Sequence, residues 1–174
     1  MSGSLAIANR QRTVSLDTRL LRGIIKTLLA ELLTLRDFDL SVIIVRAPEM
    51  AKINKTFLQH EGSTDVITFD YDENVLSASR RQSAANLPAG RRKHVHGEIF
   101  ICMDDAIAQA REFRTSWQSE LARYVIHGVL HLRGYDDIRA VDRQQMKREE
   151  NRLLREIARL FPLSKLSRKP RLAT

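Results

Sequence analysis

The sequence has no apolar run long enough to cross a membrane. Its longest, such as LSVIIV and EIFICM, fall far short of the roughly 18 residues that a spanning helix needs. No stretch at its start joins a charged segment, an apolar block and a cleavage site. There is one cysteine, Cys102, so no internal disulfide can form, and its apolar surroundings suit a thiol packed as a small hydrophobe. Internal repeats are also missing. Together these absences lead to the expectation of an unexported protein of a reducing cytoplasm.

What is present suffices for one core. A chain of 174 residues, 43% hydrophobic, supports a single domain, expected over residues 1–163, followed by a basic tail at 164–174 with little to bury. Lysine and arginine number 29 against 21 acids, a net charge of +8. The excess gathers in NRQR, in SRRQSAANLPAGRRKH and in KLSRKPR. Such a surface attracts polyanions, nucleic acid above all, although charge of this kind also serves solubility.

Apolar residues at three- and four-residue steps in LDTRLLRGIIKTLLAELLTL predict an amphipathic helix capped by Asp17. FDLSVIIVR reads as a buried strand, and APEMAKINKTFL as a helix with Pro48 near its start. TDVITFDYD and HVHGEIFICMD are further strands. Between them residues 74–93 lose apolar periodicity and form an expected long basic loop. Asp104 or Asp105 is placed to start a helix over DAIAQAREFR, and Ser116 or Thr115 to cap the next, which Gly134 ends. A last, highly charged helix stops before Pro162. Strands and helices mix without regular alternation, so the expected fold is α+β, with a small mixed sheet of about four strands covered by helices.

The chemistry gathers in HGVLHLRGYDD, residues 127–137. His127 and His131 are four apart and share one helix face, and Gly134 lets the chain turn back so that Asp137 comes within reach of both. Two neutral imidazoles and a carboxylate form a three-ligand site of the type that holds catalytic zinc. For the histidines alone, two hydrogen-bonded, half-buried rings remain an alternative. Zinc peptidases with this spacing carry glutamate directly after the first histidine, where this chain has Gly128. Proteolysis is therefore disfavoured, and Glu120, two turns upstream on the histidine side, is the nearest candidate base.

With these residues assembled, the sequence resembles the YbeY family of bacterial metal-dependent endoribonucleases. HGVLHLRGYDD is similar to that family's H-G-x-L-H-L-x-G-Y-D-H, and INKTF, TDVITFDY, HGEIFIC and QQMKREEN match further blocks in the family's order. The resemblance implies an α+β fold with a mixed sheet, and one zinc ion on His127, His131 and Asp137. It also implies single-stranded RNA in the adjoining cleft, and work on a ribosomal RNA precursor, in maturation of the 16S 3′ end and in ribosome quality control, with the ribosome or its small subunit as partner. Asp137 stands where most members have histidine, which adds negative charge and admits other divalent ions. Asp136 matches a turn or supporting acid. Leu58 stands where the family commonly has an arginine facing the substrate phosphate. His60, or basic residues of the loop, Arg80, Arg81, Arg91, Arg92 and Lys93, are the candidates to replace it, while Thr64 and Asp65 shape a strand end near the cleft. Two other readings compete. One is a ribosome-associated RNA-binding assembly factor with a structural metal, its fourth ligand drawn from His94, His96 or Asp136. The other is a metal-dependent hydrolase of another substrate.

Overall fold

The computed structural model describes residues 3–35, 37–72, 89–90 and 92–168. Four strands, β1 (Gly3–Asn9), β2 (Asp37–Val45), β3 (Val66–Asp70) and β4 (His94–Cys102), form one sheet in the order β1-β2-β4-β3. β1 and β4 run parallel to β2, and β3 runs antiparallel to β4, so the sheet is mixed. The helices are α1 (Thr18–Thr27), α2 (Ala47–Ile53), α3 (Met103–Glu112), α4 (Trp117–Leu132) and α5 (Ala140–Leu160). This is the expected α+β fold. Among the described residues no helix is long and apolar enough to cross a membrane.

Strand alternation divides the core between the two sheet faces. Leu40, Val42 and Ile44 of β2, with Val95, Ile99 and Ile101 of β4, meet Leu21, Ile24 and Ile25 of α1 and Leu121, Val125 and Val129 of α4. The opposite face, with Ile43, Val45, Ile67 and Cys102, is covered by Met50 of α2. Cys102 is fully buried, in the packing role expected of it.

Side-chain caps set two of the helix starts. Asp17 accepts from the backbone N–H of Arg19 and Leu20 at 2.9 and 3.0 Å, capping α1, which continues as a wider turn at Leu28–Leu32. Ser116 caps α4 by accepting from Ser119 N. The aspartates expected to cap α3 sit inside its first turn instead. Asp104 accepts at 2.8 Å from Ala47 N, the first residue of α2, so its carboxylate serves a neighbouring helix.

Two features were not foreseen. β1 is a short, half-exposed strand that only its pairing with β2 identifies. The tail also joins the fold later than expected: residues 164–168 belong to the body, in a 3-10 turn at Leu163–Leu166 whose Leu166 is fully buried. Leu166 O accepts from Asp17 N at 2.8 Å, and Arg168 N donates to Ser15 O at 2.9 Å. Leu166, with Leu163 of the same turn packed on the core, and these two backbone bonds dock the segment. The tail beyond Arg168 lies outside the described residues.

Candidate metal centre

α4 carries both histidines because one of its faces is committed to the sheet. A Cβ built on Gly128 would fall 2.7 Å from Ile99 Cγ2 and 2.9 Å from Ile99 Cδ1, inside normal contact. Glycine therefore lets the helix lie directly on β4, and His127 and His131 emerge beside that contact. After Leu132 the chain turns at Gly134, whose φ of 86° is a left-handed value that favours glycine. This turn returns Asp137 to the histidines.

The donors converge. His127 Nε2 and His131 Nε2 are 3.1 Å apart, and Asp137 Oδ2 is 3.8 Å from each. A triangle with sides of 3.1, 3.8 and 3.8 Å has a circumradius of about 2.1 Å, the length of a zinc bond to nitrogen or carboxylate oxygen. At 3.1 Å the two Nε2 atoms are bridged either by a proton, when one ring is an imidazolium, or by a metal ion that takes both lone pairs. The donor set and its spacing thus fit a divalent ion. Among the described residues this is the one His/Cys/Asp/Glu group of three or more so arranged, and neither His94, His96 nor Asp136 adds a fourth donor.

Each ring is held from behind. His127 Nδ1–H donates to Glu150 Oε2 at 3.0 Å, and His131 Nδ1–H donates to the carbonyl of Tyr135 at 3.1 Å. A proton on each Nδ1 leaves each Nε2 lone pair for the cluster. Burial pushes the His127 imidazole down, but the bond and charge of Glu150, with the charges of Asp65 and Asp137, outweigh it and leave the ring above its ordinary value. His131 is held below its ordinary value by burial and then by the charge of His127, against the opposing pull of Asp137. Burial likewise pushes Glu150 up, but bonds from His127 and Arg123 outweigh it and hold the carboxyl below the usual range. Asp65 is fixed at the start of β3, its side chain accepting from Val66 N and its carbonyl from Cys102 N, in keeping with a strand end near the site.

Other expected site residues fall elsewhere. Glu120 is buried, and its carboxylate accepts from Thr115 Oγ1 at 2.6 Å and lies 3.6 Å from Arg123 Nε, outside the three-donor group. His60 stands on the exposed loop after α2, also outside the group. Leu58 is 45% exposed, so the position normally given to an arginine does face solvent. Arg92 does not suit the RNA contact expected of it. It is 8% exposed and paired with Asp70. Lys93 is exposed, whereas Arg80, Arg81, Arg91 and most of the basic loop lie outside the described residues. Glu150 was missed as a site residue. Its signal is the buried face shared with Met146, one turn away in QQMKREEN.

Comparison with known proteins gives the family and the fold. The model of the endoribonuclease YbeY family matches residues 6–158. A Salinibacter ruber protein named endoribonuclease YbeY is 32% identical over 118 residues, 68% of this chain and 69% of its own length. One of the same name from Alkaliphilus metalliredigens is 27% identical over 160 residues, 90% of this chain and 97% of its own. The solution structure of a Thermotoga maritima protein is similar with a TM-score of 0.62, at 23% identity over 98% of this chain and 99% of that one, a likeness of fold. With the family model covering most of the sheet, the histidine helix and nearly all of α5, this chain belongs to the endoribonuclease YbeY family.

Proposed function

We propose that the protein is a zinc-dependent endoribonuclease that cuts single-stranded RNA beside His127, His131 and Asp137. The observation that carries this reading is the convergence of three donors at zinc-bond spacing in a chain of an endoribonuclease family. The family resemblance extends the proposal to a ribosomal RNA precursor, 16S 3′-end maturation and ribosome quality control, with the small subunit as partner and the cytoplasm as location. A net charge of +8 suits a polyanionic substrate.

His127 and His131 each offer Nε2, and Asp137 contributes the anion. Glu150 and the Tyr135 carbonyl keep both rings in the tautomer that can ligate. A divalent ion held by these three donors would leave a coordination position for water or a phosphate oxygen and would polarise that phosphate. Structural zinc usually has four protein ligands, so the count of three among the described residues favours catalysis over a purely structural metal in an assembly factor. Hydrolysis of peptides is disfavoured by Gly128, since the glutamate that such chemistry needs there has no room against Ile99.

The test joins zinc content at purification to cleavage of a 16S precursor by wild type and His131→Ala. Wild type is expected to carry about one zinc per chain and to cut, and the variant to lose both. Wild type purified without divalent metal, together with undiminished cutting by His131→Ala, overturns the proposal.

A further inference from the structure

Glu120 and Glu150 are both buried, at 4% and 7% exposure. A buried carboxylate is costly unless it is paired. One cation serves both. Arg123, on α4 between the two, donates from Nη1 to Glu150 Oε1 at 2.7 Å and holds Nε 3.6 Å from Glu120 Oε2. The same Nη1 donates to Asn151 Oδ1 at 2.9 Å, and Thr115 Oγ1 fixes Glu120 from its other side at 2.6 Å. Glu150 is thus bridged, with Arg123 on one oxygen and the His127 ring on the other.

We propose that Arg123 is a positioning residue of the metal centre, acting through Glu150 to keep His127 Nε2 aimed at the point shared with His131 and Asp137. The terminal torsion of a glutamate is broad, so one hydrogen bond leaves its carboxylate free to turn. A second bond, from a guanidinium whose own orientation is limited by Glu120, stops that rotation. Arg123 and His127 are four residues apart on α4, so the helix itself sets the gap that Glu150 of α5 must span. A slip of α5 against α4 breaks both bonds together. Removing Arg123 leaves Glu150 tied at one oxygen, and the His127 ring then turns with it.

Neutralising a buried acid for stability alone predicts a different result: a lower unfolding midpoint with unchanged metal affinity in the molecules that fold. The inference rests on the cluster being a metal site, and is independent of what the enzyme cuts. Zinc dissociation constants, measured by competition with a chromophoric chelator, separate the cases in a cycle of wild type, Arg123→Met, Glu150→Gln and the double variant. Unfolding midpoints of the metal-free proteins are recorded alongside. Arg123→Met is expected to bind zinc about tenfold or more weakly, Arg123→Lys to regain part of that loss, and the double variant to bind no more weakly than Glu150→Gln. Affinity of Arg123→Met within about twofold of wild type, or additive losses in the double variant, overturns the inference. Should Arg123→Met fail to fold, Arg123→Gln takes its place under the same criteria. Wild type that binds no zinc refutes the metal reading itself and the inference with it, whereas a variant that binds like wild type refutes the inference alone.

Discussion

Gly128 touches Ile99 so closely that a single added carbon would lie 2.7 Å from its Cγ2. This contact joins the histidine helix to the middle of the sheet, next to the ligands on either side. Gly128→Ala must push α4 away from β4 or distort Ile99, and overpacking of this kind costs about 1–3 kcal/mol. A chemical denaturation curve of the metal-free variant checks the loss. Zinc retention should fall as well, since His127 is its direct neighbour; full stability with full retention would show that the contact is slack.

Asp137 is the candidate ligand of the proposed site that departs from the histidine pattern, and its carboxylate is 3.8 Å from both Nε2 atoms. Asp137→Ala removes one of three donors and should release zinc at chelator concentrations that wild type withstands, while Asp137→His should retain it. Metal content after graded dialysis distinguishes the three proteins. Equal retention by all three would remove Asp137 from the ligand set.

Leu58 is exposed, so an arginine can be introduced there with little structural penalty. Leu58→Arg is expected to tighten binding of single-stranded RNA and to steepen its dependence on salt by about 0.7, one additional phosphate contact. Zinc retention should not change. Binding titrations at several salt concentrations measure the slope, and an unaltered slope would place Leu58 away from the RNA.

Asp17 caps α1, and the Leu20 N–H is the largest influence holding its carboxyl below the ordinary value. A lowered folded-state value means that the stabilisation is complete at neutral pH and is lost as pH falls through that value. Asp17→Ala should therefore cost about 1 kcal/mol at neutral pH and progressively less as the pH is lowered into the acid range. Urea unfolding at neutral and at acid pH tests the difference.

The convergence of His127, His131 and Asp137 was legible in the sequence because its geometry is local: one helix repeat and one glycine turn bring all three together within residues 127–137. The helices were legible for the same reason, since periodicity and caps are short-range signals. Glu150 was not, because its partner His127 is 23 positions upstream on another helix, and only the packing of α4 on α5 reveals the pair. Arg92 shows a second limit. Counting charge marked it as part of a basic surface, yet it is buried and paired with Asp70. Gly128 was read as a missing base, whereas its neighbour Ile99 makes it a required contact. β1 and the Leu166 turn are short segments whose structure comes from the partners they join.

The brevity of the ligand stretch has a consequence for engineering. Copying residues 127–137 into another helix-turn would transfer every donor and leave behind Glu150, which fixes one of them from a different helix. Such a graft would be floppy at His127. The aim of His127 is a property of two helices in fixed alignment, and a faithful transplant has to carry both.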